Sequence, residues 1–339
     1  MRIAVFLPNW VGDVVMATPA IRALREQIPD AELVAIQRPY VAGVLNGSSW
    51  FTDVINLPRN NRLNELKERI QGQNFDVAIL FPNSIRSAIY ALFSGAKRRI
   101  GYSRLGRDWL LTDCLRPPRD FLWRRTPHST LIAYNRLVEV LGVKPSLRMV
   151  LPLTEAELNL AEQAFLNLGL LNDKPVWSFN PGAAYGASKL WPISSFATLA
   201  RRCADEFGVQ VLILCGPGQE QIAASIAQLA QHQQVYSLAK VPLSLGLIKG
   251  CIAKSSLMVT TDSGPRHFGT ALGIPVITLY GPTHPEWTET FAPTEANIQL
   301  RLPCGPCQLR SCPLDHGCMR SITPQMVIDL IKSHRLKVA

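Results

Sequence analysis

Short runs rich in Val, Ile and Leu alternate with amphipathic segments along almost the whole chain. Runs without polar alternation must be covered on both faces, which is the pattern of parallel strands sheltered by helices. In the first half the runs are RIAVFL, AELVAIQ, DVINL, DVAILF and RRIGY, with helices expected at about 14–28, 63–71, 84–94 and 129–141, the last opening at Ser129 or His128. The second half repeats the rhythm with PVWSFNPG, VQVLILCGPG, QVYSL, LMVTTDSG and PVITLYGPT, and helices near 194–206, 219–231, 243–254 and 265–272. Between the halves, around Pro145 and Pro152, periodicity fades. At 339 residues the chain exceeds what one core usually organises. The expectation is an α/β chain with a first domain over 1–150, a linker and helix over 151–172, a second domain over 173–320 and a terminal helix over 321–339. Thr154 and Thr323 stand where caps would open the helices after each boundary, and Gly169 closes the first of them.

Composition narrows the function classes. Apolar residues at 47% and charged residues at 18% describe a folded, soluble chain. IAVFL is too short for a secretory signal, and no stretch reaches the roughly 18–20 apolar residues that span a bilayer, so the expected place is the cytoplasm. The net charge of +10 is concentrated: residues 97–125 carry nine Lys and Arg against three acids, interleaved with Trp109, Phe121 and Trp123. Either an anionic partner (nucleic acid, phosphorylated lipid or a membrane surface) or a plain solvated face accounts for this. Cys114, Cys203, Cys215 and Cys251 lie singly among apolar residues and read as buried thiols. Cys304, Cys307, Cys312 and Cys318 form C-x2-C-x4-C-x5-C with His316 nearby. A structural zinc is one reading of that cluster and free thiols another, because the second pair is wider than in zinc ribbons.

Three segments carry chemistry. In VTTDSGPRHFGTALGIPVITLYGPTHP a strand ends at Asp262-Ser263-Gly264 and a helix begins at Pro265, so backbone N–H groups and a dipole would face an anion. His267 falls in its first turn as a charged or neutral donor; Asp262 or Ser263 is alternatively just the N-cap. In NPGAAYGASKLWP, Gly182, Ala183, Ala184 and Gly186 are small enough for close backbone approach, and Lys189 offers a point charge to a diphosphate. In PNWVGD, Asp13 lies at a strand-to-helix junction, as a cap or as a catalytic group. The G-x-G-x-x-G, P-loop and G-x-S-x-G patterns are absent.

Together, PNWVGD, NPGAAYGASKLWP, TTDSGPRH with LYGPTHP, and the final ITPQMVIDLI resemble the ADP-heptose–lipopolysaccharide heptosyltransferases of glycosyltransferase family 9, in particular their type II branch. The resemblance implies a GT-B fold, two Rossmann-like parallel-sheet domains facing across a cleft, the first taking the acceptor and the second ADP-heptose. It implies transfer of L-glycero-D-manno-heptose to the first heptose of the lipopolysaccharide inner core with inversion, Asp13 matching the general base and Trp10 lying on the acceptor side. It places Gly182, Ala183, Lys189, Glu220, Asp262, Ser263, Gly264 and His267 at the donor, Lys189 on the phosphates and Glu220 on the ribose. The acceptor's phosphates and acidic sugars would meet Arg59, Arg62, Arg98 and Arg99. No cofactor is obligatory and no nucleic acid is expected; contact with the cytoplasmic face of the inner membrane would be peripheral. Another GT-B transferase with a different nucleotide-sugar or core acceptor, or a non-catalytic nucleotide- or anion-binding protein, are the alternatives.

Overall fold

Among the described residues twelve strands sort into two all-parallel sheets of six, and ten of them are the Val/Ile/Leu-rich runs just described. The structure, a computed structural model, describes residues 1–57, 69–119, 126–171 and 173–333. The first sheet is ordered β3-β2-β1-β4-β5-β6, from β1 (Arg2–Phe6), β2 (Glu32–Gln37), β3 (Asp53–Asn56), β4 (Val77–Leu80), β5 (Arg98–Tyr102) and β6 (Asp113–Leu115). The second is ordered β12-β11-β10-β7-β8-β9, from β7 (Val176–Asn180), β8 (Gln210–Ile213), β9 (Val235–Ser237), β10 (Leu257–Thr261), β11 (Val276–Tyr280) and β12 (Glu295–Gln299). Counted within its own half, each sheet runs 3-2-1-4-5-6, the doubly wound order whose ligand crevice lies outside the carboxyl ends of its first and fourth strands. The central strands are buried on both faces, as their unbroken apolar runs require.

The polypeptide divides at Pro152/Leu153, but Glu286–Phe291, inside the stretch that the sequence assigns to the second domain, groups with the first. The helix Glu155–Leu168 opens on a capping box in which Thr154 and Glu157 satisfy each other's backbone N–H, and it closes at Gly169 with φ 78°. Thr323 caps the helix Pro324–Lys332 by accepting from the Met326 N–H.

Three local expectations need correction. β6 and β12 escape the sequence pattern because they are short or only half-buried edge strands. Cys114, on β6, is exposed. The helix expected at 14–28 begins at Val11 and is interrupted: Val11–Met16 and Thr18–Gln27 meet at Ala17. Pro19 has no N–H to give the Val15 carbonyl, and the Thr18 hydroxyl bonds that carbonyl instead, at 2.7 Å. Most of the helix expected at 63–71 lies outside the described residues.

Candidate active site

On leaving β1 the chain enters the helix Val11–Met16 within a few residues, at the switch point between β1 and β4. Trp10 occupies the N-cap position with an extended backbone, makes no side-chain cap bond and is 54% exposed. Asp13 therefore stands not at the strand end but inside the first helical turn, where the helix dipole favours a carboxylate. One of its partners is Tyr134, on the helix Thr130–Glu139, whose hydroxyl donates to the Asp13 carboxylate. Burial and then the Asp13 charge push the Tyr134 phenol well above its ordinary range, so it stays protonated. Phe81 packs edge-on against the Tyr134 ring at 4.9 Å and fixes it.

Asp13 and Tyr134 line a cavity of about 190 Å³ with Asn83, Tyr102, His128 and Trp287 among its walls and Ser103, Arg104 and Pro117 beside them. Tyr102 ends β5 and Asn83 follows β4, so these walls come from the carboxyl ends of the sheet. Trp287 arrives from far along the chain: its carbonyl accepts from Thr130 Oγ1 and that of Glu289 from Ser129 Oγ, both at 2.8 Å. The His128 ring lies 5.2 Å from the Trp287 ring. A half-buried carboxylate held by a neutral phenol inside a walled cavity is a group placed to take a proton.

The second sheet builds a different site at its own switch point. Asn180, at the end of β7, donates to Thr260 Oγ1 (3.0 Å) and Ser263 Oγ (2.8 Å), while Thr261 Oγ1 donates to the Gly182 carbonyl (2.8 Å). These bonds join the loop after β7 to the turn after β10. Asp262, 5% exposed, lies at the centre. It accepts from Lys189 Nζ through both its side chain and its carbonyl, from Thr283 Oγ1 at 2.7 Å, and pairs with Arg266 at 3.4 Å. Burial alone would raise its carboxyl, but Lys189 and Arg266 more than offset that and hold it below the usual range. Arg266, 1% exposed, is paired in turn with Glu295. The two cations and two anions balance. Attraction for an added anion therefore rests on local donors: the third N–H of Lys189, and the start of the helix Gly264–Ala271, whose N-cap Ser263 makes no side-chain cap bond. His267 is buried and its Nδ1 has no hydrogen-bond partner; burial, then Arg266, keeps the ring neutral, so it supplies no charge.

The loop Gly182–Lys189 is braced from outside. Tyr185 donates its hydroxyl to the Gln308 carbonyl at 2.6 Å, the Ser188 N–H bonds Arg310 O at 3.1 Å, and His316 Nε2 meets Ser188 O at 2.6 Å. The small residues here serve packing. A Cβ on Gly182 would lie 2.1 Å from the Gln219 side chain, and one on Gly186 would lie 2.3 Å from the Arg310 carbonyl oxygen.

The model of Glycosyltransferase family 9 (heptosyltransferase) matches residues 63–317, three-quarters of the chain. The chain belongs to this family. Lipopolysaccharide heptosyltransferase 2 of Escherichia coli K12 is 28% identical, with 97% of each chain covered, and its counterpart in Salmonella typhimurium is 29% identical, with 98% covered. The solved structure of E. coli ADP-heptose lps heptosyltransferase II has a TM-score of 0.77 at 26% identity, covering 99% of this chain and 98% of that one. This family 9 chain is accordingly a transferase with an α/β fold of two parallel sheets, in the GT-B manner of its structural neighbours.

Within this glycosyltransferase, the structure draws Lys189, Asp262, Ser263, Gly264 and His267 into one cluster and sets Gly182 and half-buried Ala183 on the adjoining loop. Glu220 opens the helix Glu220–Ala230 after β8, and burial followed by its charge pushes the Cys215 thiol up to about 11. Arg98 and Arg99 stand at the amino end of β5, opposite the end that reaches the Asp13 cavity. Arg98 is paired with Asp113, and Arg99 donates to the carbonyls of Leu110 and Ala96. Arg59 and Arg62 lie outside the described residues. Cys304 and Cys307 are exposed, and Cys312 and Cys318 are half-buried. Among the described residues no group of three or more His, Cys, Asp or Glu is gathered as metal ligands. Sequence reasoning missed Tyr134, Trp287, Arg266 and Gln219 as site residues, whereas Thr283 lies in the LYGPTHP segment that the sequence singles out.

Proposed function

We propose that the chain transfers L-glycero-D-manno-heptose from ADP-heptose to the first heptose of the lipopolysaccharide inner core, with inversion. The single observation that carries the chemistry is the Asp13 carboxylate, oriented by Tyr134 in a cavity of about 190 Å³ at a sheet switch point. Near-full-length similarity to lipopolysaccharide heptosyltransferases supports the choice of donor and acceptor. In this reading Asp13 accepts the proton of the acceptor hydroxyl as it attacks the anomeric carbon in line with the departing ADP. Lys189 and the start of the helix Gly264–Ala271 meet the diphosphate, and Glu220 accepts from the ribose hydroxyls. The lipid-borne acceptor implies work at the cytoplasmic face of the inner membrane; no helix among the described residues is long and apolar enough to cross it.

Incubation with ADP-, UDP- and GDP-sugars and truncated lipopolysaccharide, read by product mass, tests the reading. Heptose addition from the ADP sugar alone is expected. Asp13→Ala should retain ADP-heptose binding and lose transfer by about 10²-fold or more; normal turnover in that variant would remove Asp13 as the base.

A further inference from the structure

The turn from Ser103 to Leu111 stands beside the Asp13 cavity and carries two side chains that a water-facing surface does not explain. Trp109 is 77% and Leu105 68% exposed, more than any other large apolar side chain among the described residues. They are presented on a rigid mount. Arg107, fully buried, donates to the carbonyls of Tyr102, Pro82 and Ser84, to Ser87 Oγ and to Asn83 Oδ1, pinning the turn to the chain that follows β4. Burial pushes its guanidinium down to about 10. The Ser103 hydroxyl ties back to Asp108 at 2.6 Å. Holding a cation in the interior to fix a turn whose tip shows Trp and Leu to solvent calls for something that covers the tip.

We propose that this turn docks the protein on an anionic bilayer surface, Trp109 and Leu105 entering the headgroup region. Tryptophan favours the interface between water and acyl chains, with its N–H still wet, and leucine adds apolar area. The surroundings match an anionic surface: Arg104 and Arg116 are exposed on the same stretch, and the chain carries a net charge of +10. Position gives the docking its purpose. Ser103 and Arg104, at the foot of the turn, line the Asp13 cavity. A sugar attached to a membrane lipid reaches that cavity only if its mouth is held near the headgroups, and Leu105 and Trp109 do that without themselves lining the cavity. The proposal rests on the reading above in taking the acceptor to be lipid-anchored.

Co-sedimentation of the full chain with vesicles tests it, comparing phosphatidylcholine alone with mixtures holding about one-quarter phosphatidylglycerol. The variant is Leu105→Asn with Trp109→Ser; both positions are exposed, and Asn suits the left-handed φ of 54° at residue 105. Wild type should bind the anionic vesicles and release as salt rises. The double variant should partition about tenfold less, turn over a lipid-free acceptor oligosaccharide as wild type does, and fail on acceptor embedded in vesicles. Equal partitioning of the two proteins overturns the proposal. So does an equal loss on the lipid-free acceptor, which would make the turn part of the acceptor site. If neither protein transfers heptose, the functional reading fails while the vesicle result still decides the docking.

Discussion

A phenol that keeps its proton over the whole working pH range is a one-way donor, and Tyr134 can only give its hydrogen bond to Asp13. That bond occupies one acceptor position of the carboxylate and orients the group. Tyr134→Phe keeps the ring and the packing on Phe81 but removes a bond to a charged group worth about 1.5–3 kcal/mol. We expect kcat to fall about ten- to hundredfold with ADP-heptose affinity unchanged; an unaltered kcat would take Tyr134 out of the mechanism. Asp262 is a different kind of residue, a buried anion between two cations. Its folded pKa is depressed, so its stabilisation is complete above the unfolded value of about 3.9 and is lost as pH falls through the lower folded value. Asp262→Asn should destabilise by about 3–5 kcal/mol at pH 7, and urea titrations at falling pH should show the gap from wild type closing.

At the scale of elements, the loop after β7 is a short span held from two sides, by Thr261 on its carbonyl and by the segment 308–316 on its outer face. Gly186→Ala would force the Arg310 carbonyl away and shift the Lys189 turn. ADP binding by calorimetry should weaken about tenfold, with the Asp13 cavity unaffected; unchanged binding would mean that the brace has no part in the donor site. The same contrast says what was legible in the sequence. Strands covered on both faces announce themselves as unbroken Val/Ile/Leu runs, so β1 and β10 could be placed by eye, while half-exposed β12 could not. PNWVGD and TTDSGPRH could be picked out because their residues are contiguous. Tyr134 and Trp287 were illegible as site residues: each looks like ordinary helix or loop content until folding brings it to a carboxylate or a cavity wall. The glycines of NPGAAYG were legible as close approaches but not for what approaches them, which is Gln219 and Arg310.

For the whole molecule, the same six-strand order occurs twice, yet the two halves of the sequence are not the two halves of the structure. Glu286–Phe291 leaves the second unit to complete the first, and Trp287 becomes a wall of the Asp13 cavity. Trp287→Ala, though distant in sequence, should act as a first-unit mutation: turnover falls and the acceptor KM rises several-fold, with ADP affinity unchanged. A matching loss of ADP affinity would count against that assignment. The route of the chain also sets an order of events during synthesis. By Pro152 the ribosome has delivered every strand of the first sheet, but Trp287 follows only after about 130 more residues, roughly seven seconds or more at ordinary elongation rates. For that interval the nascent first unit carries Asp13 and Tyr134 without the Trp287 wall, so the cavity around Asp13 closes only after five of the six strands of the second sheet have been made.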